Sequence, residues 1–330
     1  MTFDFDAYVT AVIFDRSGRT LFALGDGTVR AVAGDGFVTV EAHNGAVLSA
    51  CPHPSGLGVV TGGDDGRVVW TRLEGGEIAA SLVAEVKGRW IDAVAASAES
   101  GLIAFTAGRE LHVRDSKDPA FSRVFVHEKS AADVAFDPRG RRLAVATYNG
   151  AALWYARIAD QKPQLLKWAG SHVRVLWSPD GRFLMSAMQE NQLHGWKVAD
   201  EKNLRMGGYP AKVKSLAFLA GGLMMATSGA NGAVIWPFAG ATGPMGKEAA
   251  EIGYDQAAMV VQVAGTPSGH GLAAGLDDGR VWVADLRSGG IEHLKAEKGA
   301  AISALAISPD GSRVAWGDED GRAGVVETGL

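Results

Sequence analysis

A strand-turn-strand unit returns eight times along this chain, and few folds accommodate such a pattern. Its clearest copy begins with the alternating run Ile302–Ile307, turns at Pro309-Asp310-Gly311, continues through Arg313–Asp318 and turns again at Asp320-Gly321. Alternation of apolar and polar residues at period two marks half-buried strands. An Asp-Gly pair between two such runs predicts a type I′ hairpin, because both central residues of that turn take positive φ. The first turn recurs around Gly18, Gly56, Gly101, Gly140, Gly181, Gly222, Gly269 and Gly311, at separations of 38 to 47 residues. The second recurs as Asp26-Gly27, Asp65-Gly66, Asn149-Gly150, Asn231-Gly232, Asp278-Gly279 and Asp320-Gly321. Copy three has Gly108-Arg109-Glu110 instead and copy five has Gln189-Glu190-Asn191-Gln192, so those hairpins are expected to be longer or differently shaped.

A looser fourth strand follows in the spacers, as in Phe37–Val40, Ile78–Leu82, Val124–Val126 and Leu165–Trp168. Repeats of about 40 residues with four strands each are the pattern of β-propeller blades. The expected fold is therefore all-β, a single closed β-propeller of eight four-stranded blades. Seven blades is the alternative if one copy is irregular, the third being the weakest. The copies fall at roughly 9–46, 47–90, 91–130, 131–171, 172–212, 213–259, 260–301 and 302–330 plus 1–8. The eighth copy lacks a fourth strand of its own, and Thr2–Phe5 is expected to supply it and close the ring, removing two sheet edges that would otherwise pair with other chains. An α-solenoid is excluded by the period of two, and a sandwich does not call for eight even copies. The irregular stretch 238–246 reads as a mobile loop in the sixth copy.

The segment Val60–Trp70 (sequence VTGGDDGRVVW) resembles the second strand, turn and third strand of WD40 repeats, and His43 stands upstream of Val47 much as that family's Gly-His histidine does. Leu111–Asp115 and Val281–Asp285 keep a terminal aspartate without the preceding tryptophan, whereas Trp196 is followed by Lys197. Trp70, Trp154 and Trp236 fall one position early, so no full Trp-Asp pair occurs. Ser178-Pro179-Asp180-Gly181 is also similar to the repeats of TolB-type propellers. The WD40 resemblance spans nearly the whole chain and implies a propeller that works as an interaction scaffold; fold alone does not name a function. It also implies that His43, Thr61 and Asp65 form a buried hydrogen-bond chain tying a loop to two strands, which is a structural role.

Composition narrows the function classes. Glycine is 44 of 330 residues with only 11 prolines, an excess suited to tight turns rather than linkers. A formal charge of −5 gives no global attraction to nucleic acid or anionic lipid. The opening Met1–Asp6 has no positive segment followed by an apolar run, no stretch is long and apolar enough to span a bilayer, and Cys51 is the lone cysteine. A cytoplasmic protein is expected, without leader or disulfide.

Chemistry-bearing clusters are sparse. Cys51 and His53 share a strand face but lack further ligands at recognisable spacing, and the remaining histidines form no zinc pattern. The acidic pairs Asp64-Asp65 and Asp277-Asp278 are accounted for by their hairpins. No nucleophile elbow, phosphate loop or dinucleotide fingerprint is present. No catalytic residue, metal or cofactor is expected. The segments entering each copy's first strand are richer, carrying Lys87, Arg89 and Trp90, then Lys129, then Arg174, then Tyr209, Lys212 and Lys214. In a propeller these collect on one end, where cations interleaved with aromatics suit an acidic protein partner. The expected function is a non-enzymatic scaffold for protein-protein interaction, with a monomer sufficing and no nucleic acid or membrane involved. A hydrolase- or lactonase-like propeller enzyme and an RNA- or ribosome-associated protein are the alternatives.

Overall fold

The computed structural model describes residues 1–74, 76–266 and 269–330. The regular secondary structure of the described residues is strand, apart from one short 3₁₀ turn at Ala220–Gly222. No helix among them is long and apolar enough to cross a membrane. The first copy shows the common plan: Val9–Phe14, Thr20–Leu24, Thr28–Ala33 and Gly36–Glu41 pair antiparallel in sequence order, running outward from a central channel. First strands of successive copies pack side by side around that channel, and Ile302–Ile307 returns to lie against Val9–Phe14.

Seven hydrogen-bonded sheets result, six of four strands and one of six. Eight separate four-stranded blades, as the repeat suggested, are thus not what forms. The count of seven matches the alternative, although not through the third copy, which makes a regular sheet from Ala93–Ser97, Leu102–Ala107, Glu110–Asp115 and Ser122–Val126. The irregularity lies in copies four and five, where two strands of 14 residues, Arg142–Tyr155 and Gln164–Trp177, replace shorter ones and join both copies in one sheet. Their ladder pairs Tyr148 with Ser171 but Gly150 with Lys167, so Trp168–Gly170 bulge out against a single opposing residue.

Closure follows the expected route. Thr2–Asp4 pairs antiparallel with Arg322–Gly324, and the Met1 ammonium donates to the Val325 carbonyl. Phe3 and Phe5 then stack at 5.6 Å and meet Phe22 and Phe37 of the first copy edge-on. One short strand thereby bridges the last copy to the first through both hydrogen bonds and aromatic contact.

The turns differ from expectation in type. Gly66 donates to the Gly63 carbonyl, and of the Asp65-Gly66 pair only the glycine has positive φ (79°). This is a type I turn followed by a left-handed glycine rather than type I′. The preference has two causes. Asp65 caps the turn by accepting the Arg67 N–H at 3.0 Å, and a Cβ on Gly66 would stand 2.8 Å from the Arg89 carbonyl oxygen. Consecutive positive φ values on such a pair occur at Asn149-Gly150 (69° and 139°). The hairpin at Gly108-Arg109 is tighter than expected, since Ala107 pairs directly with Glu110. The stretch 238–246 is anchored at its start, where Phe238 is buried against Phe183 and Phe218, and a Cβ on buried Gly243 would press on the Phe183 ring.

The core is divided among the interfaces between copies. One cluster joins the closing strand to the first copy through Phe5, Val9, Phe22 and Ala315. Another joins copies four and five inside the six-stranded sheet through Ala144, Leu153, Leu184 and Trp196. Each face of each sheet is therefore apolar, which explains the near-continuous burial of second strands such as Phe183–Met188.

Candidate functional site at the channel mouth

The mouth is built by a recurring defect in the innermost strands. Register shifts occur between Val9 and Ala11, Val47 and Ser49, His172 and Arg174, Val260 and Gln262, and Ile302 and Ala304. An extra residue at each point unpairs backbone groups and re-aims a side chain, as β-bulges do. Polar side chains then tie the unpaired groups to the neighbouring copy. Ser303 Oγ donates to the Val9 carbonyl at 2.7 Å, and Thr10 Oγ1 to that of Val47 at 3.0 Å. Gln262 Nε2 donates to the Ser303 carbonyl at 2.9 Å. Ser215 Oγ bridges both backbone groups of Val263 at 3.1 Å, and Asp133 accepts the Val175 N–H at 2.9 Å. None of these residues stands out in the sequence; their one signal is a polar residue near the start of an otherwise apolar first strand.

Within this ring a cavity of about 700 Å³ is lined by residues of six copies, among them Tyr8, Arg174, Lys212, Lys214 and Gln262. Three cations and no carboxylate line it. Arg174 and Lys214 are exposed, and Lys212 Nζ donates to Gln189 Oε1 at 2.5 Å. Asp133, on the neighbouring inner strand, has its carboxyl pushed up by burial, an effect opposed by the Arg174 charge and by the N–H groups of Val175 and Val134. Burial and the Glu319 charge together push up the Tyr8 phenol, while its hydrogen bond with Ser303 opposes them.

The residues anticipated for one binding face separate into distinct places. Arg174, Lys212 and Lys214 converge on the mouth. Lys87, Arg89 and Trp90 lie on an exposed loop outside its lining, and Trp90 is 64% exposed. Lys129 lines a different groove at the rim. Tyr209 is not a surface anchor: it is buried, its hydroxyl lies 2.6 Å from Thr227 Oγ1, and it accepts the Trp236 indole N–H at 2.6 Å. Burial pushes its phenol up to about 12.

Tyr209 stands 18 residues before Thr227, as His43 stands before Thr61, and the two pairs do the same work. His43 Nδ1 donates to Asp65 Oδ1 at 3.0 Å, while Nε2 lies 2.8 Å from Thr61 Oγ1. Asp65 also accepts the N–H groups of Asn44 and Arg67. Burial would raise the Asp65 carboxyl, but these bonds outweigh it and hold the group below the ordinary carboxylate value. In the fourth copy the Trp154 indole N–H donates to His127 Nε2 at 2.9 Å.

Cys51 and His53 do not form a ligand pair. Burial pushes the Cys51 thiol up to about 12, and His53 is engaged by Ser55 Oγ at 2.8 Å while stacking on Trp70 at 3.9 Å. Burial, assisted by the Arg72 charge, pulls the His53 imidazole down to about 4. Among the described residues, no group of three or more His, Cys, Asp or Glu side chains is arranged to hold a metal ion.

Comparison with known proteins adds the following. Residues 36–70 match the family model described as "WD domain, G-beta repeat". No curated protein matches the chain. Among solved structures, the chain is similar to the computationally designed Ika8 protein, with a TM-score of 0.76 at 17% identity, covering 98% of each chain. At that identity the likeness concerns the fold alone.

Proposed function

We propose that this chain, a β-propeller whose residues 36–70 match the WD40 repeat model, is a non-catalytic scaffold whose channel mouth receives an acidic element of a protein partner. The observation that carries this is the convergence of Arg174, Lys212 and Lys214 on a cavity whose lining has no carboxylate, in a chain of net charge −5. A cationic concavity focuses the field toward an incoming anionic group, and a ring held by inter-copy hydrogen bonds loses little conformational entropy on binding. His43–Thr61–Asp65 and Tyr209–Thr227–Trp236 act as internal struts in this reading, because each is buried between strands and satisfied there.

The reading treats residues 1–330 as one domain, its eight sequence copies folded into a closed ring of seven sheets. Its support is the apolar cluster that packs copy four on copy five as other clusters pack neighbouring copies. A cytoplasmic setting fits the single, poorly acidic thiol of Cys51.

The test is affinity capture from the native cell extract with the intact chain and with an Arg174→Glu, Lys212→Glu, Lys214→Glu variant, analysing both protein and nucleic acid. A protein partner lost with the variant supports the reading. Retention of the same partner by the variant overturns the mouth as its site. Recovery of RNA with a steep loss on added salt would replace a protein partner with a phosphate-bearing one.

A further inference from the structure

A second concavity, of about 950 Å³, opens on the outer rim where copies three and four meet. It lies on the six-stranded sheet beside the bulge Trp168–Gly170. Its floor includes Trp154, whose indole N–H is already committed to His127 and whose ring stacks on Phe125 at 4.6 Å. Trp154 is 6% exposed, so the part of it that reaches the groove is a carbon edge with its polar atom already satisfied. Leu165 (52% exposed) and Tyr148 (56%) stand in the walls and add apolar surface beside the floor.

The charges around this apolar floor have one dominant sign. Lys129, Lys162 and Lys167 line the groove against a single carboxylate, Glu128. None of the three lysines forms an ion pair or a side-chain hydrogen bond among the described residues. Elsewhere on the surface, arginines are tied to aspartates, as in Arg157–Asp115, Arg182–Asp180 and Arg287–Asp285. Free ammonium groups ringing a carbon floor complement a ligand with an apolar centre and anionic flanks. The volume lies at the upper end of the range of ligand pockets, roughly 300–1,000 Å³, enough for a short peptide segment.

We propose that this rim groove is a docking site for a short acidic peptide segment of a partner protein, anchored by one or two apolar side chains on Trp154 and Leu165. It is independent of the channel mouth, which is built from other residues. The fit differs as well: the mouth presents its cations with no lining carboxylate, whereas the groove sets its lysines around the exposed side chains of Leu165 and Tyr148.

The probe is a fluorescein-labelled peptide of glutamates surrounding a central tryptophan-leucine pair, followed by anisotropy on the full chain. Two control peptides replace the glutamates with glutamines or the central pair with alanines. Binding of the probe should weaken by about tenfold or more with either control, with Lys162→Glu, Lys167→Glu in combination, and with Leu165→Asp. These positions are exposed, and unchanged melting of the variants verifies that the fold is intact. The Arg174→Glu, Lys212→Glu, Lys214→Glu variant should bind the probe as the parent does. Absence of binding, equal binding of either control peptide, or loss through the mouth variant instead of the groove variants each overturns the proposal. So does a single-stranded oligonucleotide that displaces the probe from the groove.

Discussion

The channel mouth and the rim groove both gather lysines around a concavity, yet they depend on the fold in opposite ways. The mouth takes its lining from six copies, so Arg174, Lys214, Gln262 and Tyr8, each from a different copy, meet only when the ring closes. The groove draws on residues 126–169, two neighbouring copies and the hairpin between them. A site assembled from six copies around the ring inherits the rigidity of closure, whereas a site on one joint inherits only local packing. The contrast teaches where cooperativity resides in a repeat protein: in the contacts that link the last copy to the first.

The sharpest way to break that contrast is to remove residues 1–8. Deletion exposes the Arg322–Glu327 edge and strips Phe3 and Phe5 from Phe22 and Phe37. The truncated chain should aggregate or melt at least about 10 °C lower, consistent with losing buried aromatic area and an edge pairing together. Amide exchange should rise first at Val9–Phe14 and Ile302–Ile307 while the groove strands remain protected. A truncated monomer with unchanged melting and exchange would remove closure as the source of the mouth's rigidity.

A smaller effect is expected from the struts. His43→Ala leaves the Asp65 carboxylate and the Thr61 hydroxyl without their shared partner. It should cost about 2 kcal/mol, a few degrees of melting temperature, without touching either concavity. If Asp65→Asn in the same background costs as much again, the two side chains are not acting through one another.

Acidification sharpens the picture further. Burial, with smaller contributions from His172 and Arg205 and opposition from Asn203, holds the His194 imidazole down to about 4; His53 stands at a similar value. A histidine kept neutral in the fold stabilises it fully above the unfolded value near 6.5, and that contribution drains away as pH falls toward 4. The melting temperature should therefore drop by several degrees over that window, and His194→Asn should flatten part of the slope. A variant as steep as the parent would place the titration elsewhere.

The smallest expected change is Ser303→Ala, which removes one tie between the eighth and first copies. A loss of about 1 kcal/mol is expected, with faster amide exchange near Val9. No change at all would mean that water replaces the hydroxyl in the channel.

How much of this was legible in advance varies by kind of feature. Period-two alternation and recurring turn glycines forecast the strands, and the missing fourth strand of the last copy forecast closure by Thr2–Phe5, of which Thr2–Asp4 forms the strand. The His43, Thr61 and Asp65 geometry was anticipated through resemblance. Tyr209 was misassigned because an aromatic in an entry loop looks the same in sequence whether it faces solvent or, as here, Thr227 and Trp236. The turn type was missed because Asp-Gly suits two geometries, and the neighbouring Val86–Arg89 backbone selects between them.

The sequence by itself determined the all-β architecture, the repeat and the location of its turns, since these follow from alternation and local φ preferences within a few residues. The tertiary structure alone decided that copies four and five share a sheet, that the inner strands bulge, and that Lys129 parts from Arg174, Lys212 and Lys214. Each of those outcomes depends on where a residue stands across the ring, which contacts between copies set and neighbouring residues along the chain do not.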